Sequence, residues 1–369
     1  MELKIKKASL QGLLKWGQGI VEKKSTMPIL SNILLEASGT KLQASATDLE
    51  IAIIAEQEAE VKKEGKVVVN ARNLYEIVRE APEDTILLTS KSGALELVSG
   101  KSKFKILGMN PEEFPNLPPL SSKGEIAIKS DDLEELIDKT FYAISSDEAR
   151  RNLNGLYLVR LEEGDKSVLR IVGTDGHRLS YTQREFGGKW KGGKGIIVPR
   201  KGISEVKKLL ADGDGDLGIA FDEKAILFKR GPVSLLIRLI EGDFPAYEQV
   251  IPKGVEKIVS VPKEALLGGL RRAAILVNDQ GRGVGLSFSA GMMEIKAQHP
   301  DLGEAHEEIS VAYQGPHFQV GFNPRYLLDV LAVLEDEKVV LELKDEVSPC
   351  VIRSEFDRGF LALVMPMRI

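Results

Sequence analysis

A chain of 369 residues, 43% hydrophobic and 28% charged, has room for two or three folded domains and an ordinary globular composition. Its longest apolar runs, such as FLALVMPM, fall far short of the about 20 residues a membrane-spanning helix needs. A single cysteine, Cys350, excludes an internal disulfide and a cysteine-cluster zinc site, and the net charge of −5 does not by itself point to nucleic acid. The first residues enter a charged strand rather than an apolar signal region, so the expectation is a cytoplasmic protein with no membrane role.

In chain order, MELKIKKASLQGLLKWGQGIV from Met1 reads as a short alternating run followed by a helix with apolar periodicity. KVVVNARNLYEIVREAP (66–82) reads as strand, turn and helix, and TILLTSKSGALELVSG after it as a hairpin. EEFPNLPPL (112–120) is rich in proline and reads as a linker. EIAIKSDDLEELIDKTFYAIS from Glu125 repeats the opening pattern, and GIIVPRKGISEVKKLLADG from Gly195 repeats the second. LGIAFDEKAILFKRG supplies a further hairpin, and GDFPAYEQVIP (242–252) a second linker. EKIVSVPKEALLGGLRRAAILV from Glu256 opens a third copy, followed by FQVGFNPRYLLDVLAVLED from Phe318 and the hairpin VVLELKDEVSPCVIRS. The three openings lie 124 and 131 residues apart (Met1, Glu125, Glu256), a period of whole domains rather than solenoid units. The expected fold is α+β: three repeated domains at 1–120, 125–250 and 253–369, each with two helices packed on antiparallel sheets. That makes six half-units of helix plus strands, two per domain, and three similar domains in one chain point to a curved assembly whose function comes from its geometry.

Positive charge gathers on the helices. The first helical region (6–24) holds five lysines against Glu22. The helix at 200–210 carries Arg200, Lys201, Lys207 and Lys208 against Glu205, and the third-domain helix ends in Arg271 and Arg272. SDDLEELIDK is acidic and dissents. Solvation alone accounts for charge on any one helix; a positive excess on three of them in a net-negative chain points to a phosphate backbone as the surface they meet.

TMPILSNILLEA (26–37), ATDLE (46–50), NGLYL (154–158), TDGHRLS (174–180), IVPRKG (197–202), RAAIL (272–276) and the terminal VMPMRI (364–369) closely resemble the bacterial DNA polymerase III β subunit, the sliding clamp. The likeness runs the whole length of the chain in order and at matching spacing. It implies a ring of two three-domain subunits joined head to tail, helices lining the hole and sheets outside. Such a ring encircles duplex DNA without reading its sequence, slides, and tethers a polymerase, as a non-catalytic subunit of the DNA-directed DNA polymerase holoenzyme. Carried over by position, Lys24, Arg72, Arg150, Arg151, Arg200 and Lys201 would contact DNA. Lys103, Phe104 and Ile106 would meet Ile275, Leu276, Glu304, Glu307 and Glu308 across the homodimer interface. Leu153, Thr174, Gly176, His177, Arg178, Leu179, Pro245, Val250, Asn323, Tyr326, Val347, Ser348, Met365, Pro366, Met367 and Arg368 would wall a pocket for short clamp-binding peptides of the replicative polymerase α subunit, the clamp loader, other polymerases and repair proteins. Methionine is flexible and polarizable, which suits one pocket serving several anchors. Asn152 stands where the family commonly has an aromatic residue, and Gln249 where it commonly has a basic one.

Read without the family, Asp175 and His177 invite an acid–base role, but nothing supplies a nucleophile or metal at matching spacing, and a tight turn is the plainer account. No catalytic residue, cofactor or metal is expected. DGDGDLGIAFDE imitates a calcium loop with Asp212, Asp214, Asp216 and Glu223, but Leu217 replaces its glycine and a strand follows. GGKWKGGKG (187–195) reads as a flexible loop, and GRGVG (281–285) as another. The competing functions are a nucleotidyltransferase, which would need clustered carboxylates for two metals, and an open peptide-binding scaffold that never closes on DNA.

Overall fold

The computed structural model describes residues 1–21, 26–117, 126–188, 190, 195–213, 215–277 and 283–368. Among them, six α-helices each follow a strand. Glu2–Lys6 leads into α1 (Lys7–Ile20), Gly65–Asn70 into α2 (Ala71–Glu80) and Ile126–Ile128 into α3 (Ser130–Phe141). Ile196–Pro199 leads into α4 (Arg200–Ala211), Lys257–Pro262 into α5 (Lys263–Ala274) and Phe318–Phe322 into α6 (Pro324–Ala332). Asn70 and Asn323 start α2 and α6 by accepting backbone hydrogen bonds from Asn73 and Arg325, both 3.0 Å. Each bond satisfies a donor that the first helical turn leaves without an intrahelical partner. Apolar residues at helical spacing face inward, as with Leu10, Leu13, Leu14 and Ile20 of α1 or Leu266, Leu267, Leu270 and Ala273 of α5.

The chain divides into two compact units. Met1–Ser130 and Ser204–Leu239 make the body of one. Its antiparallel strands run from Ile126–Ile128 through Leu217–Phe221, Ala225–Arg230 and Val233–Arg238 to Ile51–Glu58, then onward through the rest of the first domain's strands. Ile51, Ile53 and Ala55 pair with Ile237, Leu235 and Val233, all buried. One hydrogen-bonded sheet thus fuses the first domain to the second half of the central one.

The other unit has Asp131–Gly187 and Ile240–Ile369 as its body. Eight antiparallel strands are ordered Ile196–Pro199, Gly155–Glu163, Lys166–Thr174, Arg178–Glu185, Leu361–Val364, Cys350–Ser354, Lys338–Leu343 and Lys257–Pro262. Four more form a separate sheet, Gly303–Ser310, Met292–His299, Val284–Ser289 and Phe318–Phe322. The central and C-terminal domains meet where Arg178, Leu179, Ser180 and Tyr181 pair with Val364, Leu363, Ala362 and Leu361. Beyond one end of this ladder, Arg184 donates two hydrogen bonds to the Asp357 carboxylate, both 2.9 Å, and Lys139 of α3 reaches the same carboxylate at 2.7 Å. Burial by itself would raise the Asp357 carboxyl, but the bonds from Arg184 and Lys139 outweigh it and hold the group below its usual range.

Three segments expected to be linker or loop hold aromatic plugs. Phe114 is buried with Ile29, Leu30 and Val68, Tyr247 packs with Val172, Leu179 and Leu363, and Trp190 is buried against Phe221 with ring centroids 4.4 Å apart. Proline and glycine interrupt the ladders there, yet one large apolar side chain per segment still gains by leaving water. Val284 and Gly285, expected in a loop, begin a strand instead. The calcium-like loop is organised by a guanidinium. Arg230 donates to the carbonyls of Leu209 (2.8 Å), Leu210 (2.7 Å) and Gly215 (3.2 Å), and Asp212 pairs with Lys15 at 2.8 Å. Asp214 lies outside the described residues.

Replacing Asp357 with Asn leaves Lys139 and Arg184 without their shared anion and should destabilise the protein by about 3 kcal/mol at neutral pH, read as a lower denaturant midpoint. A carboxylate held below its unfolded value adds stability above roughly pH 4 and loses it as the pH falls further. The gap between wild type and Asp357→Asn should therefore close in acid.

Candidate functional site

The ladder that joins the central and C-terminal domains places three segments at its other end. Residues 175–177 precede Arg178, which pairs with Val364; Met365–Arg368 follow Val364; and the turn carrying Val347 and Ser348 precedes Cys350, which also pairs with Val364. Antiparallel pairing brings all three to one edge.

The first segment is a rigid turn. Thr174 Oγ1 donates to the Arg178 carbonyl (2.6 Å) and accepts from Gly176 N–H (3.1 Å). Asp175 Oδ1 accepts from the N–H groups of His177 (2.9 Å) and Arg178 (3.0 Å). Gly176 has a left-handed backbone, φ 87°. With Oδ2 receiving Arg178 Nε at 3.0 Å, the Asp175 carboxylate is committed to shaping the turn and is poorly placed to act as a base.

Arg178 is the hub. It also ion-pairs with Asp329 of α6, and its guanidinium lies over the rings of Tyr326 (4.6 Å) and Tyr142 (5.4 Å). Burial lowers its proton affinity, yet Asp329 and Asp175 more than compensate and raise it. His177 stacks on the other side chain of this wall, Tyr326, with centroids 6.3 Å apart and planes 16° from parallel. The terminal segment is pinned twice, by Met365 N–H to the His177 carbonyl (2.8 Å) and Met367 N–H to the Gly321 carbonyl (2.9 Å). Asp345 Oδ1 fixes the third segment by accepting from Val347 (3.0 Å) and Ser348 (2.7 Å).

Apolar side chains stay exposed on two of these segments, at Met365 and Val347, and at the end of the 3₁₀ turn Tyr247–Val250. Val347 is 81% exposed, Val250 47% and Met365 36%, while Leu153 is buried. Pro245 is exposed, Leu179 is buried with Tyr247, and Asn323 caps α6 beside Tyr326. Asn152 donates to the Asp243 carbonyl at 3.3 Å, tying the short 3₁₀ turn that holds Leu153 to the segment that holds Pro245. Met365, exposed and bonded to the fixed turn at His177, leaves apolar surface at the ladder's end, which suits docking of an extended peptide.

Three family models cover the chain in succession: the DNA polymerase III beta subunit N-terminal domain over residues 1–118, its central domain over 127–246 and its C-terminal domain over 248–368.

The chain belongs to the DNA polymerase III beta subunit family.

It is 35% identical to the beta sliding clamp of Caulobacter vibrioides (strain NA1000 / CB15N) and 33% identical to that of Escherichia coli (strain K12), over the whole of both chains in each case. Among solved structures it resembles the C. crescentus beta sliding clamp (35% identity, TM-score 0.96) and the Bartonella birtlesii clamp bound to griselimycin (33%, TM-score 0.94), again over full lengths. As a beta subunit the chain has three clamp domains, each with two helices on antiparallel sheets.

The other residue sets expected of a beta subunit are placed as follows. Strand Ser102–Met109 pairs with Ala94–Ser99 along 102–107 and with Gly65–Asn70 only at Gly108 and Met109. Phe104 is 39% exposed and Lys103 is exposed, but Ile106 is buried in its own domain, and Leu107, 80% exposed, takes the outward place. Gly303–Ser310 ends the four-stranded sheet as an edge strand with Glu304 and Glu308 exposed. Ile275 is 76% exposed, whereas Leu276 is half-buried against the core. Glu307 is engaged within its own chain, receiving Arg272 Nε at 2.7 Å and Nη2 at 2.6 Å. Glu294, His306 and Glu308 bring three ligand-type atoms within 4.8 Å of one another, but Glu294 already pairs with Lys296 at 2.6 Å, so the group reads as a surface ion-pair ladder.

Of the basic residues expected at DNA, Arg72 pairs with Glu76 on the exposed face of α2, and Arg151 and Lys201 are exposed. Arg150 bonds the Asp175 carbonyl at 3.2 Å. Arg200 turns inward, donating to the Ile144 carbonyl at 3.1 Å with its guanidinium 4.9 Å from the Phe141 ring. Lys24 lies outside the described residues.

Sequence reading missed Asp329 and Tyr142, the groups that fix Arg178. The one available signal was Asp329 lying a helical turn beyond Tyr326.

Met365→Ala and His177→Ala should each weaken binding of a labelled peptide that carries a glutamine with apolar and aromatic residues, the motif the family resemblance implies, by about tenfold in fluorescence anisotropy, with sedimentation unchanged. A change of oligomer in either variant would place these side chains in the fold rather than the pocket.

Proposed function

We propose that the chain is a DNA polymerase processivity factor: two copies join head to tail in a ring that encircles duplex DNA without sequence specificity, slides, and tethers the replicative polymerase. The observation that carries the reading is the full-length match in all three domains, supported by the fixed turn and C-terminal segment where the central and C-terminal domains share a sheet. The protein acts by topology and takes part in no bond-making step of its own. Its place of work is the cytoplasm, and among the described residues no helix is long and apolar enough to cross a membrane.

Two open strand edges support the head-to-tail joint. The edge at Ser102–Leu107 carries Lys101, Lys103 and Lys105, and the edge at Gly303–Ser310 carries Glu304, His306 and Glu308. Opposite charge and unpaired backbone donors and acceptors fit a strand-to-strand contact between copies, which would leave neither edge exposed to aggregation. Phe104, Leu107 and Ile275 supply apolar surface for the contact. Arg72, Arg151 and Lys201 are the phosphate-facing candidates, and a few such contacts position DNA weakly enough to permit sliding. Partner peptides of the polymerase α subunit, the clamp loader and repair proteins would take the pocket; griselimycin, bound by the B. birtlesii clamp, is a candidate occupant too.

Primer extension with a bacterial replicative polymerase tests this. At micromolar concentration a ring can thread onto a linear primed template from its end, so no loader is required. The protein should lengthen the products of single binding events, and Phe104→Asp should abolish that gain by splitting the dimer while leaving peptide binding intact. Product lengths unchanged by the wild-type protein would contradict the proposal.

A further inference from the structure

The edge strand Gly303–Ser310 places an imidazole in the middle of an acidic row. Side chains along the strand alternate between its two faces. Ala305, Glu307 and Ile309 turn toward α5 and the core, where Arg272 holds Glu307. Glu304, His306 and Glu308 turn the other way and are exposed. The neighbouring strand sets Glu294 opposite Glu308 and Lys296 opposite His306. His306 Nε2 lies 3.9 Å from a carboxylate oxygen of Glu294 and 3.9 Å from one of Glu308. Glu294 is also bound by Lys296 at 2.6 Å, and His317 reaches it electrostatically.

An imidazole ordinarily changes charge between pH 5 and 8, and the charge of this one decides what the edge offers. With the ring neutral, Glu304 and Glu308 are unopposed within the row. With the ring protonated, both of its flanking carboxylates have a cation of their own chain at hand. In the head-to-tail joint the same row meets Lys101, Lys103 and Lys105 of a second copy. Those lysines compete for Glu308 and repel an imidazolium, since like charges across neighbouring strands cost stability. A separated chain therefore accommodates the proton better than a joined one, and by linkage acid favours separation. The side chain of His306 is 48% exposed, so it takes up the proton without any opening of the fold.

We propose that His306 makes closure of the ring proton-dependent: neutral, it leaves the acidic edge free to meet the lysine edge of a second copy, and protonated, it cancels that edge and loosens both joints. The inference rests on the head-to-tail reading of the two strand edges given above.

Sedimentation velocity of the full-length protein over a dilution series tests it, at low salt and at about pH 8 and about pH 6, a window above the range in which carboxylates ordinarily titrate. Wild type is compared with His306→Gln, which stays neutral, and His306→Lys, which stays charged. His177, His299 and His317 remain in every variant, so their own titration cancels in the comparison. Acidification should weaken the wild-type dimer about fivefold more than the His306→Gln dimer. His306→Lys should dimerise more weakly than wild type already at about pH 8. Subunit exchange between unlabelled and heavy-isotope-labelled protein, read by native mass spectrometry, gives the same comparison for a dimer that outlasts dilution. An equal response to pH in wild type and His306→Gln, or wild-type dimerisation of His306→Lys, overturns the role given to His306. A wild-type protein that stays monomeric at every concentration and pH overturns the head-to-tail reading itself, and this inference with it.

Discussion

The short antiparallel ladder between Arg178–Tyr181 and Leu361–Val364 is the constraint on which the candidate site depends. It turns the sheets of two domains into one, and backbone hydrogen bonds fix its register whatever the side chains do. A slip of one residue would move Arg178 off the face where Asp329 and Tyr326 meet it and would detach Met365 from the turn at His177. The candidate site is thus the frayed end of a ladder, where three chain segments leave the sheet together and the last pairs of hydrogen bonds aim them.

Electrostatics secures both ends of that ladder in different ways. At one end Asp357 binds Arg184 and Lys139 in a half-buried cluster, with Glu135 bonded to Arg184 at 2.7 Å. At the other, Arg178 is shared between Asp175 and Asp329 and faced by two tyrosine rings. The first cluster serves the fold. The second adjoins the turn to which exposed Met365 is bonded, so it serves the fold and orients the candidate site at once. A guanidinium held by two carboxylates is fully paired before any partner arrives, which lowers the ordering cost of docking.

Much of this was legible in the sequence. The six strand–helix half-units follow from apolar spacing and capping residues, which are local signals. The turn Thr174–Arg178 and the terminal methionines were found through their motifs, and the structure puts them side by side. What escaped was set by distance or by parity. Asp329 and Tyr142 reach Arg178 across chain separations that no local pattern records. Whether Ile106 or Leu107 faces the core depends on which face of an amphipathic strand meets the domain, and alternation alone does not say. Arg200 looked like one of several exposed bases until Phe141 and the Ile144 carbonyl drew it inward. Trp190, Phe114 and Tyr247 sat in segments whose proline and glycine content reads as loop, yet each is buried.

The central claim is that the protein holds DNA by enclosing it. The direct test is to load it onto nicked circular duplex with a clamp loader and ATP, isolate the complex, and cut the circle once with a restriction enzyme. Prompt release from the linear product, with retention on the uncut circle, is the predicted result. Protein that stays bound after the cut would be gripping DNA by contact, and the account would be wrong.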